Sequence, residues 1–112
     1  MPRQLEEISK LKSMLGASGA KTVFSAFLIE SEPLFKQAVE AIEAGEKSQA
    51  RALLNKLKGV LGSVMAGTPQ QLCVQLEKNL LEDGPDENSQ LISELKHELS
   101  KLTEAARLFV QA

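Results

Sequence analysis

What this sequence has little of narrows it first. It carries no Trp or Tyr and only four Phe in 112 residues, so aliphatic side chains must fill its core. A single cysteine rules out an internal disulfide and fits a reducing compartment. Basic surplus is lacking as well: 13 Lys and Arg stand against 15 Asp and Glu, for a net charge of −2. These charges are interspersed and form no basic stripe, so neither nucleic acid nor an anionic membrane surface is an expected partner. No apolar run is long enough to span a bilayer, and no charged start leads into an apolar segment. The expectation is a cytoplasmic chain without membrane insertion. Sustained alternation of period two is also absent, which leaves no signal for a β-strand.

What is present is helical spacing from end to end, in a length suited to one domain over residues 1–112. "QLEEISKLKSML" puts Leu5, Ile8, Leu11 and Leu15 on one face, and "GASG" at 16–19 predicts its stop. A second segment over 20–44 aligns Val23, Phe27, Leu34, Ala38 and Ile42, with Phe24, Leu28 and Phe35 widening the stripe. So wide a stripe fits a central helix packed on two neighbours, or one that also meets a partner protein. Pro33 predicts a kink or short break inside it.

Gly45 ends that segment, and a third helix follows over 46–65. Thr68 then reads as an N-cap, with Pro69 at the first helical position, ahead of a helix carrying Leu72, Cys73, Leu76 and Leu80. "EDGPDENS" is the clearest loop, punctuated by Gly84 and Pro85. The last helix starts near 87–89 and carries a seam of Ile92, Leu95, Leu99, Leu102, Ala106 and Phe109. The expected fold is all-α: an up-and-down antiparallel four-helix bundle with an additional short N-terminal helix. The seam leaves monomer and dimer both open.

The stretch "ARALLNKLKGVLGSVMAG" over 50–67 raises the sharpest question. Ala50, Leu53, Leu54, Leu57, Leu61 and Val64 form its inward stripe. Arg51, Asn55, Lys58 and Gly62 fall at i, i+4, i+7 and i+11 on another side, with Gly59 alongside. Each interior glycine costs about 1 kcal/mol relative to alanine. Two uses would offset that cost. The glycines either relieve crowding against a neighbouring helix, or clear the way for a bulky partner beside the Lys58 charge.

"NKLKG" at 55–59 and "CVQLE" at 73–77 resemble the core of the histidine-containing phosphotransfer (HPt) domain, whose pattern is His-x-Leu-Lys-Gly followed by Cys-x-x-Leu-Glu at the same separation. "FLIESEPLFKQAVEAIEAGEKSQARALL" over 27–54 resembles the family's preceding helix and turn, so the resemblance covers most of the chain. It implies a helical bundle whose exposed histidine exchanges a phosphoryl group with the aspartate of a response-regulator receiver domain. It also implies Lys58 as the cation that balances phosphate charge and Gly59 as the small residue that lets the receiver dock. Asn55, however, stands at the phosphoacceptor position. Its carboxamide nitrogen is delocalised into the carbonyl and is not a useful nucleophile. Val60, Met65 and Pro69 depart more mildly, where the family commonly has a small residue, glycine and leucine.

The resemblance therefore implies a non-enzymatic, non-phosphorylatable module that binds receivers as competitor, sequestering factor or adaptor. Its partner is a receiver domain, including that of a hybrid sensor kinase, met through Arg51, Asn55, Lys58, Gly59, Gly62, Phe24 and Leu28. Two alternatives stand beside it: an active phosphotransfer protein whose histidine was replaced by Asn55, and an interaction bundle unrelated to phosphorelay.

No other residue offers the chemistry. His97, the only histidine, lies off the last helix's seam and reads as a solvated side chain. Cys73 on an apolar face reads as a buried, inert thiol. One His and one Cys on different helices supply no metal ligand set, the acidic clusters lack calcium-loop spacing, and no nucleotide fingerprint is present, so no cofactor is expected.

Overall fold

The computed structural model describes residues 3–82 and 88–111, with side chains from residue 7 onward. The side chain of Leu5, and the Gly84 and Pro85 of the expected loop, lie outside the described residues. The described residues form four helices: α1 (Arg3–Glu43), α2 (Lys47–Ser63), α3 (Gly67–Leu81) and α4 (Asn88–Gln111). α1 packs on α2 and α4, and α3 packs on the same two, while among the described residues the backbones of the diagonal pairs stay apart. That ring makes a bundle with one shared core, lined by Phe24, Phe27, Leu54, Leu57, Leu61, Leu76, Leu95 and Leu102.

The separate N-terminal helix expected from "GASG" is not a distinct element. The break shrinks to one residue, Gly16, at φ 76 and ψ 168, inside α1. It is still a sharp bend. Forty-one residues of straight helix would span roughly 61 Å at ~1.5 Å per residue, whereas the longest dimension of the molecule is 42 Å. Folding back buries Ile8 and Leu11 but leaves Leu15, expected on the same face, about half exposed next to the bend.

Of the kink or short break expected at Pro33, the break does not occur: α1 runs through it and only Gly16 leaves helical φ/ψ. Pro33 and Ile29 are both exposed, so the helix face that loses a hydrogen bond to the proline is the solvent side, where water can replace it. The buried seam of α1 is also rotated from the expected one. It runs through Ala20, Phe24, Phe27, Ser31, Ala38 and Ala41, while Val23, Leu34 and Ile42 pack at its margin. Ser31, buried in the middle of that seam, interrupts the apolar pattern and so hides its true axis.

Two turns of one design connect α1 to α2 and α2 to α3. At the first, Gly45 N–H donates to the Ile42 carbonyl and Glu46 N–H to that of Ala41, with Gly45 at φ 75. At the second, Met65 N–H donates to Gly62 and Ala66 N–H to Leu61, with Met65 at φ 59. Both are Schellman closures, which need a left-handed residue just past the helix cap. α3 then begins earlier than expected, with Ala66 as N-cap, so Thr68 and Pro69 occupy its second and third positions. Proline is tolerated there because N–H groups in a helix's first turn have no intrahelical acceptor, and its ring is buried. In α4 the expected seam holds: Leu95, Leu99, Leu102 and Ala106 are buried. Among the described residues no helix is long and apolar enough to cross a membrane.

Candidate functional site

α2 sorts its residues as the spacing predicts. Ala50, Leu53, Leu54, Leu57, Leu61 and the adjoining Val64 are all buried. On the outer side Asn55, Lys56 and Gly59 are exposed, and Arg51, Lys58 and Gly62 are half-buried. The Asn55 carboxamide makes no hydrogen bond among the described residues, so both its donors and its acceptor face solvent.

The two glycines prove to have different reasons. A Cβ added at Gly59 would meet nothing within 4 Å, so no internal contact requires a glycine there. At Gly62 a Cβ would stand 2.8 Å from Gln70 Nε2. That amide crosses from α3 and donates to the Lys58 carbonyl at 3.3 Å. Gly62 therefore serves helix–helix packing, while Gly59 leaves bare backbone on the open surface beside Asn55.

Lys58 is held from α3 at both ends. Besides the bond to its carbonyl, its ammonium lies 3.2 Å from Glu77 Oε1, with the two side chains 31% and 21% exposed. Oε1 is closed off from water and has no hydrogen-bond partner among the described residues. Lys58 is thus its nearby charge compensation. So partly exposed a pair contributes at most about 1 kcal/mol to stability. One turn before Glu77, Cys73 is fully buried, and its thiol is pushed up to about 12 by burial first and then by Glu77, against a lowering pull from Lys58. A thiol so rarely ionised is inert, as expected.

Next to Gly59 a shallow groove runs between α1 and α2, lined by Ile29, Pro33, Leu34, Lys56, Val60 and Ser63, among others. Ile29 is 74% exposed, the most exposed large apolar side chain among the described residues. Phe24, by contrast, cannot belong to a surface. It is wholly buried and packs edge-on against Phe27 and Phe109, with ring centroids 6.5 and 5.8 Å away. Leu28 is half-buried against the core. Sequence reasoning missed Ile29 because it put the surface of α1 on the wrong side of the seam, and Lys56 because that residue of α2 is brought beside Ile29 only by the packing of the two helices. It missed Gln70 because nothing in a single helix's spacing reveals an amide arriving from its neighbour.

His97 is exposed, in a groove shared with Thr68 and Leu72 of α3. It lies on α4, diagonally across the bundle from α2. At the centre of the α2 face, then, stand a carboxamide, a bare glycine and a lysine already facing a carboxylate. This arrangement can present hydrogen bonds and close backbone approach, but no nucleophile.

Compared with known families, residues 22–105 match the model of the Hpt domain. Comparison with curated proteins and with solved structures gives no match.

Proposed function

Because the chain belongs to the Hpt domain family, the phosphotransfer modules of two-component phosphorelay, we propose that its α2 face docks a response-regulator receiver domain without accepting a phosphoryl group. The observation that carries this reading is Gly59. It sits exposed in a helix, costs about 1 kcal/mol there, and has no neighbour that a side chain would disturb. A partner that must approach the backbone closely is the remaining use for it.

The docking surface comprises Asn55, Lys56 and Gly59, with Arg51 at one edge and the Ile29–Val60 groove at another. Phe24, buried in the core, is not part of it, and Gly62 contributes by letting Gln70 pack. The apolar groove supplies buried area, and the cations suit the acidic pocket of a receiver. Asn55 keeps approximate size and hydrogen-bonding capacity where a histidine would carry the phosphoryl group, so the shape of the face is retained while the imidazole lone pair is lost. Such a domain would hold a receiver as competitor, sequestering factor or adaptor.

Phosphoryl transfer tests this directly. Receiver domains of the source organism, labelled on their aspartate, are mixed with the protein and with its Asn55→His variant. Acid-labile label is expected on the variant alone. Label on neither, from receivers that phosphorylate another acceptor, would refute the docking reading.

A further inference from the structure

The α2 face carries three cations in two different states. Arg51 and Lys56 have no carboxylate partner among the described residues, whereas Lys58 faces Glu77 at 3.2 Å. Glu77 is bound to this task by its own surroundings. Its Oε1 is shut off from water with no hydrogen-bond partner among the described residues, so losing the nearby ammonium is disfavoured, by up to about 1 kcal/mol for a pair this exposed. Gln70, held at the Lys58 carbonyl, fixes the other end of the same residue. α3 therefore grips Lys58 by backbone and by ammonium at once.

We infer that Glu77 is a positioning residue that restrains Lys58, holding its charge back from the docking face and so weakening the face's grip on an acidic receiver. This rests on the docking reading above and deepens it. In the free protein the Glu77 carboxylate offsets the Lys58 charge locally, leaving Arg51 and Lys56 as the cations that attract a partner. A receiver's carboxylates must compete with Glu77 for the ammonium, and the loss of that pair works against binding. Removing the carboxylate while keeping its shape frees Lys58 to reach the partner, since its side chain is already partly exposed.

The test measures affinity for purified receiver domains of the source organism, at low and at physiological salt. Glu77→Gln is expected to bind about threefold to tenfold tighter at low salt, the range of about 0.6–1.4 kcal/mol. The gain should shrink as salt rises. A merely structural role for Glu77 predicts the opposite sign, because a disturbed face binds less well. Lys58→Met is expected to change affinity by less than about twofold in the native background, yet to abolish the whole gain in the Glu77→Gln background. The Lys58→Met result reads the same restraint even where Glu77→Gln does not fold. Unchanged or weaker binding by folded Glu77→Gln, or a large loss from Lys58→Met alone, overturns the inference and leaves the docking reading standing. Absence of binding by the native protein to every receiver overturns both.

Discussion

Alanine placed at Gly59 and at Gly62 separates the two reasons for glycine in one helix. At Gly59, an interior position of α2, alanine gains about 1 kcal/mol of helix propensity, and its Cβ meets nothing within 4 Å. At Gly62, one residue from the helix end, the propensity gain is about half as large. The new Cβ there stands 2.8 Å from Gln70 Nε2. The amide must swing away and gives up its bond to the Lys58 carbonyl, a loss of about 0.5–1.5 kcal/mol.

Gly59→Ala should therefore stabilise by ~1 kcal/mol, while Gly62→Ala is neutral to ~1 kcal/mol destabilising. For a chain of this length the gap corresponds to roughly 5–10 °C in melting temperature. Urea unfolding of both variants, with Gly62→Ala repeated in a Gln70→Ala background, measures each part. In that background alanine at 62 should recover its ~0.5 kcal/mol of propensity. Docking runs the other way. A methyl at 59 in a closely packed contact should weaken receiver binding by about tenfold, the effect of about 1.4 kcal/mol of overpacking. Destabilisation by Gly59→Ala, or equal effects at both glycines, would refute the packing argument. A stabilised Gly59→Ala with undiminished receiver binding would refute the clearance argument.

Met65 sits at φ 59 in a Schellman closure, so Met65→Gly should stabilise by about 0.5–1 kcal/mol in urea unfolding, some of the strain relief being offset by the lost contacts of its exposed side chain. A destabilised variant would mean those contacts outweigh the strain. Phe24→Ala should cost about 3–5 kcal/mol, whereas Ile29→Asp, on an exposed side chain, should stay within about 0.5 kcal/mol and selectively weaken receiver binding. Undiminished binding by Ile29→Asp would remove the α1–α2 groove from the docking surface.

Much of this protein was legible one helix at a time. The buried stripes of α2, α3 and α4 follow from spacing alone, since a helix's apolar side is recorded within its own residues at intervals of three and four. Gly45 as a terminator was equally local, because a left-handed residue past a helix cap favours glycine wherever it occurs. The two neighbours of the long helix agree with the width of its stripe, although in the ring every helix packs on two others. The likeness of "NKLKG" and "CVQLE" to the HPt core pointed to the family before any coordinate was known.

What spacing could not carry were facts that belong to two segments at once. Ser31 is buried among apolar neighbours, so the seam of α1 turned away from the axis its leucines suggested, and Phe24 went inside while Ile29 stayed out. Met65 reads as one more helical residue until the turn into α3 forces its backbone to the left-handed side. Gly59 and Gly62 are the same residue three positions apart, distinguished only by the arrival of Gln70. Lys58 reads as a free surface charge until Glu77 comes within 3.2 Å of it. The sequence determined the inner faces of the helices and the exposed carboxamide of Asn55 on the outer side of α2, because those depend on residues joined by one stretch of backbone. Which glycine lies under a neighbour's side chain, which lysine faces a carboxylate and which side of α1 meets solvent were decided only when the helices packed, because each depends on atoms that a different helix supplies.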